Sequence, residues 1–279
     1  MSNASDSPLA VVEAQLAYLL EAPAAKPAFY VNTPIPENPR KGPQLGPRTM
    51  SIHDARQLEE KPRLEIEGVE LVPAASDFRK AHDFYDPDAV RAHYYPEIEA
   101  LVARETGAKR VIAFDHNLRS RALAKAKLHE AQLPVVFAHN DYTETSGPQR
   151  VRDLVPDEAE SLIQNRFAVI NVWRPTRTPV EESPLAVLDA QTMGPDDLVS
   201  MDLIYVDRIG EIQSLKYDPK HRWLYYARMT PDEAMLLKCF DSSRDGRARF
   251  TAHTAFTLPN TPEDATPRES VEVRTMAFF

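Results

Sequence analysis

A mainly β chain with flanking helices is what this sequence predicts, and three observations carry the prediction. From residue 110 to the C-terminus, short runs rich in Val, Ile, Tyr and Phe recur between Pro, Gly and Asp turns, the signature of antiparallel strands rather than of βαβ units. Twenty-four prolines stand against eight glycines, which implies extended segments with rigid corners and leaves no glycine-rich phosphate loop. The helical patterns lie mostly before that region. About eight strands behind an α-rich lead-in suit a double-stranded β-helix, the jelly roll of cupin-like proteins.

The elements follow in order. Residues 9–20, LAVVEAQLAYLL, read as a short helix, and the proline-rich EAPAAKPAFYVNTPIPENPRKGPQLGP as an arm draped on the body. Residues 1–64 are thus expected as an extension packed on the core, and 65–279 as the double-stranded β-helix domain. RLEIEGVELVP alternates charge with Leu, Ile and Val at a period of two, the mark of a half-buried strand or hairpin. In DPDAVRAHYYPEIEALVARETGA, Asp86 is a helix N-cap, Pro87 takes the first helical position, and Ile98, Leu101 and Val102 recur at helical spacing. This segment reads as one kinked helix or two short ones, ending near Gly107. Strands are then expected at RVIAFDHNLRS, LPVVFAHND, FAVINVWRP, PLAVLDAQT, DLIYVDR, IQSLKYDP, RWLYYARM, AMLLKCF, RFTAHTAF and SVEVRTMAFF, with a helix in PDEAESLIQNRF.

Composition excludes several function classes. No apolar run in the 279 residues approaches the about 18 needed to span a bilayer, and the start, MSNASDSPLA, has no basic region followed by an apolar block. A soluble, cytoplasmic protein with no membrane association is expected. The single cysteine, Cys239, provides neither a disulfide framework nor a thiolate cluster; set in an apolar strand, it reads as a small buried hydrophobe. A formal charge of −9 argues against nucleic acid as a partner, so a small-molecule substrate is expected. The charge and the proline-rich arm are compatible with a homodimer. The sequence contains no GxGxxG, GxxxxGK[ST] or GxSxG motif and no internal repeat.

Chemistry concentrates at strand ends. His139 and Asp141 stand two apart in VVFAHNDYTETSG, so on a strand they face the same way. A two-histidine, one-carboxylate face is the usual holder of non-haem Fe(II), and it requires a second histidine downstream. His253, at the end of an apolar segment, is the better candidate; His221, between Lys220 and Arg222, reads as a surface histidine. The last strand opens with Arg268 and Ser270, which on one face can jointly hold a carboxylate. Arg274 has the same side-chain parity as Arg268 and is a second candidate for that role. Asn171 and Arg174 in NVWRP are expected to line the pocket, whereas Trp173 reads equally well as core. His116 and Arg119 read either as a locally satisfied strand-end pair or as substrate contacts, and Tyr142 either faces substrate or packs against the barrel wall. The segment TETSGPQRVRDL is the expected mobile lid.

The order His139-x-Asp141, His253, Arg268-x-Ser270 resembles the HxD…H…RxS pattern of Fe(II)/2-oxoglutarate-dependent oxygenases. More specifically, NVWRP, KYDPKHRWLYYARMTPDEAMLLKCFDS and FTAHTAFTLPNTPEDATPRESVEVR resemble the AsaB/CmcJ-type hydroxylase/desaturase family, from about residue 65 to the end. The resemblance implies that His139, Asp141 and His253 bind iron, that Arg268 grips the distal carboxylate of 2-oxoglutarate with Ser270 assisting, and that dioxygen is the second co-substrate. It implies hydroxylation, desaturation or oxidative cyclisation in natural-product biosynthesis, with the substrate unspecified. Two other readings stand beside it: a metal enzyme on the same barrel working without 2-oxoglutarate, for which Arg268 would be dispensable, and a non-catalytic small-molecule binding protein.

Overall fold

The computed structural model describes residues 10–21, 23–129 and 131–279. In chain order its strands are β1 (Val11–Leu19), β2 (Ala28–Tyr30), β3 (Leu45–Asp54), β4 (Val69–Pro73), β5 (Arg110–Ser120), β6 (His139–Asn140), β7 (Phe167–Pro175), β8 (Leu185–Leu188), β9 (Leu198–Ile204), β10 (Ile209–Leu215), β11 (Trp223–Tyr225), β12 (Glu233–Asp241), β13 (His253–Ala255) and β14 (Glu269–Phe278). They build two sheets, one ordered β1-β3-β11-β8-β13-β6-β10-β9-β2 and the other β4-β12-β7-β14-β5. The architecture is a jelly roll with flanking helices, as the strand-rich second half predicts.

Alternation along the strands sorts side chains into three cores. On β7, Phe167, Val169 and Trp173 enter the core between the sheets, while Ala168, Ile170 and Val172 face outward. The outward face is covered by the helix Tyr95–Thr106, whose Ile98, Leu101 and Val102 meet Val271 and Val273 of β14. Burying each such side chain stabilises by about 1.5–3 kcal/mol. On β8, Leu185 and Val187 enter the inter-sheet core, whereas Ala186 and Leu188 join a third core built from the nine-stranded sheet alone. That sheet curls over its own outer face, and isolated bridges from Ala17 to Phe137 and from Leu19 to Lys216 bring β1 back toward β6 and β10.

Several local expectations change. The helix expected over 9–20 is the strand β1 from Val11 on, Leu9 lying outside the described residues. Val12, Ala14, Leu16 and Tyr18 are buried while Val11, Glu13 and Gln15 are exposed, so the partner strand β3, paired in register over the whole of β1, overrides the helix propensity of Ala, Leu and Glu. Within the segment expected as an arm, β1, β2 and β3 are strands of the larger sheet. Of RLEIEGVELVP only Val69–Pro73 is strand, because Gly68 turns the chain at φ +79. The kinked helix forms as expected: Asp86 caps it by accepting from Asp88 N and Ala89 N, each at 3.0 Å. A π-turn over Val90–Tyr94 absorbs the kink just before Pro96, and Gly107, left-handed at φ 73, ends it. No helix among the described residues is long and apolar enough to cross a membrane.

Candidate metal centre

His139 on β6 and His253 on β13 are direct antiparallel partners, which sets their rings side by side with centroids 4.5 Å apart. Each ring is fixed by the carbonyl two residues before it: His139 Nδ1 lies 2.9 Å from Phe137 O and His253 Nδ1 3.2 Å from Thr251 O. A carbonyl only accepts, so both Nδ1 atoms carry the proton and both Nε2 lone pairs are free. Thr251 is itself anchored, its hydroxyl donating to Gly68 O at 3.1 Å; a Cβ at Gly68 would meet that hydroxyl at 2.1 Å. The glycine that turns the chain before β4 therefore also sets the approach to His253.

Asp141 completes the group. Its Oδ1 lies 3.5 Å from His139 Nε2, and one ligand atom from each of His139, Asp141 and His253 falls within 4.8 Å of the others. The other oxygen, Oδ2, accepts from Asn171 Nδ2 at 2.8 Å and Arg274 Nε at 3.1 Å, which leaves Oδ1 as the oxygen available to a metal. Burial alone would raise the Asp141 pKa, but Arg274 and the two imidazoles outweigh it and hold the carboxyl well below its ordinary value. Burial, and then neighbouring His139, push His253 downward, favouring the neutral imidazole a metal needs. Two neutral-type nitrogens and one charged oxygen, pre-oriented by hydrogen bonds behind them, fit a divalent first-row metal.

The cavity in front of this group is also lined by Arg119, Trp173, Arg268 and Glu272. Arg268 is buried, at 4% exposure. Its Nη1 donates to Ser183 O, its guanidinium lies 5.6 Å from the Trp173 ring centroid, and its Nε has no partner. Burial, with the nearby Arg119 cation adding to it, pushes the Arg268 pKa down to about 10. A buried guanidinium with no carboxylate paired to it among the described residues is a costly arrangement that an incoming carboxylate would relieve. Ser270 Oγ lies 3.5 Å from Arg119 O, two residues from Arg268 on the same strand face.

The structure distributes the remaining sequence candidates differently. Arg274 is committed to Asp141, Asp115 and Glu272, and Asn171 to Asp141, so both back the aspartate instead of facing an incoming carboxylate. Arg174, expected in the pocket, has the parity opposite to Asn171 and turns outward, donating to Ala74 O and Pro231 O. His116 pairs with the outward-facing Val273 and accepts from or donates to Tyr95 OH at 2.8 Å, away from the cavity. Arg119 pairs with Ser270 and faces inward, its Nη1 donating to Leu133 O at 2.8 Å. Tyr142 is buried in the inter-sheet core, its hydroxyl pushed up to about 12 by burial. His221 is no surface residue: it is buried, stacked on Tyr18, with Nε2 3.1 Å from Asp197 Oδ2. The expected lid contains the helix Ser146–Leu154, anchored at its start by Thr143 Oγ1, which accepts from Ser146 N at 2.9 Å, and by Val151 in the core. Glu272 escaped the sequence reading, although its position, two from both Ser270 and Arg274, carried the signal.

A jelly roll whose strand ends present two histidines and one aspartate, with a buried arginine at the entry to its last strand, is by class a facial-triad metalloprotein. A family model described as an oxidoreductase/YMDC permease-like domain matches residues 16–278. The Fe(II)/2-oxoglutarate-dependent dioxygenase nvfI of Aspergillus novofumigatus is 32% identical over 254 residues, 90% of each chain. The hydroxylase/desaturase asaB of Aspergillus flavus is 41% identical over 136 residues, 44% of this chain and 60% of its own. A solved structure of the iron and alpha-ketoglutarate-dependent endoperoxidase NvfI superposes with a TM-score of 0.87 at 30% identity, over 96% of this chain and 98% of that one. The chain belongs to the AsaB/CmcJ-type hydroxylase/desaturase family of Fe(II)/2-oxoglutarate-dependent oxygenases.

Proposed function

We propose that this chain uses Fe(II), 2-oxoglutarate and dioxygen to hydroxylate, desaturate or oxidatively cyclise a small molecule of natural-product biosynthesis, at a site made of His139, Asp141 and His253 as iron ligands and Arg268, with Ser270 beside it, as the 2-oxoglutarate anchor. When bound, iron supplies dioxygen activation, with decarboxylation of 2-oxoglutarate to succinate providing two of the electrons. The chain supplies position. His139 and His253 offer Nε2 because Phe137 O and Thr251 O hold their Nδ1 protons. Asn171 and Arg274 hold Asp141 so that one oxygen faces inward. Arg268 offers a buried cation to the distal carboxylate, and Trp173 gives it an apolar backing.

The observation that carries the reading is that the two histidines of the three-residue group, His139 and His253, line one cavity together with the under-partnered Arg268 guanidinium. A metal enzyme without a keto acid would have no use for the second half. The test is anaerobic addition of Fe(II) and 2-oxoglutarate, following the visible charge-transfer band of the bound keto acid. The wild type should show it, and His253→Ala and Arg268→Ala should lose it. Metal binding without a band in the wild type would overturn the 2-oxoglutarate assignment.

A further inference from the structure

The cavity has two chemically distinct sides. Arg119 on β5, Arg268 just before β14 and Glu272 on β14 give it a charged wall, whereas Val135, Leu185 and Ala255 are apolar. The apolar side continues outward. Phe137 lies between the cavity-lining Val135 and His139 in the alternation of the chain, and its ring centroid is 5.0 Å from that of His139. Phe29 of β2 packs on Phe137 at 5.6 Å. Leu203 of β9 is the cross-strand partner of Phe29. Phe29, Phe137 and Leu203 are only half-buried. The charges of the same strands turn to the other face, where Asp202 and Glu211 are neutralised by Lys26 and Arg40. A half-exposed apolar track thus leads from a metal-ligand ring onto a strand contributed from far upstream in the sequence.

We propose that Phe137, Phe29 and Leu203 form the lip that seats the organic substrate, and that this substrate presents an extended, uncharged, apolar surface there. The proposal rests on the reading of the site as an iron and 2-oxoglutarate centre, and it names what that reading leaves open. The charged wall takes the dicarboxylic keto acid, and the apolar lip takes the molecule to be oxidised. Aromatic rings supply large contact area at low entropic cost, and the continuity from lip to His139 carries the bound hydrocarbon to the metal.

The test uses the whole protein loaded with Mn(II) and 2-oxoglutarate, with testosterone, 2-naphthol and 1-decanol as apolar probes and maltose as the polar one. Proton relaxation of the probe by the paramagnetic ion reports binding beside the metal. At least one apolar probe should be relaxed and maltose should not. Phe29→Ala should weaken the relaxed probe about tenfold, the loss expected from one aromatic contact face, and Phe29→Leu should restore most of it. Unchanged Mn(II) affinity in both variants, read by electron paramagnetic resonance, certifies that the site is folded. If Mn(II) binds but no apolar probe is relaxed, if maltose is relaxed instead, or if Phe29→Ala leaves the probe unaffected, the lip is not the substrate seat. Failure of the wild type to bind Mn(II) would instead remove the metal reading beneath it.

Discussion

Arg274 shows how one side chain can be read correctly for its direction and wrongly for its partner. Its parity with Arg268 is legible from spacing alone, since six residues separate the two, but spacing does not tell how far along the wall each residue sits. Arg268 lies just before the strand opens, where no described carboxylate forms an ion pair with its guanidinium; Arg274 lies six residues further on and meets Asp141, Asp115 and Glu272. Arg274→Gln should therefore weaken Fe(II) binding by about 10–100-fold, as loss of a partner behind a metal ligand commonly does, while leaving Arg268, the proposed 2-oxoglutarate anchor, in place. A metal titration measures it, and an unchanged affinity would show that Asn171 alone holds Asp141. The His139, Asp141 and His253 group was legible because residues two apart and a downstream strand-end histidine are enough to define it. Arg174 and His116 were misplaced because a polar residue in a strand points to one of two faces, and only the observed pairing says which face meets the cavity.

At the scale of the element, β1 is the instructive case. Its Ala, Leu, Glu and Gln favour a helix taken alone, yet β3 accepts it in register from Val11 to Leu19. Tyr18 then anchors it: its hydroxyl accepts from Trp223 Nε1 at 2.6 Å and lies 3.3 Å from His221 Nδ1. Tyr18→Phe removes that oxygen and leaves the buried indole N–H unpaired, so it should cost about 1–3 kcal/mol in urea unfolding with Fe(II) affinity unchanged. No loss of stability would mean that the third core holds β1 by apolar contact alone. The strands β5 and β7 coincide with RVIAFDHNLRS and FAVINVWRP because each is long, β-branched and bounded by turn chemistry. By contrast, LPVVFAHND shrinks to the two residues of β6, since its proline and its position beside the cavity mouth limit its pairing.

For the whole molecule, carboxylates paired with cations, one buried and one half-exposed, set the response to acid. Burial would raise the Glu65 carboxyl, but Lys238 and Arg166 outweigh it and hold it below its ordinary value; Asp141 is held down more strongly. Such groups bind protons less well folded than unfolded, so their stabilisation is full above the unfolded pKa and is lost as pH falls through the depressed folded value. His53 and His116, pushed down chiefly by burial, act in the same direction at higher pH. The urea midpoint should therefore begin a shallow decline below about pH 6.5 and fall steeply below about pH 4.3. Glu65→Gln should flatten the steep limb; a midpoint that stays level to pH 3 would contradict the assignment. The charged wall of the cavity belongs to the long pairings of β14 with β5 and β7, whereas Phe29 rides on a strand of three residues joined to β9. On the proposed reading, Phe29 carries part of the substrate lip on an element apart from the wall that holds the reactive centre, so exchanging that short strand would revise what is accepted while the centre keeps its residues.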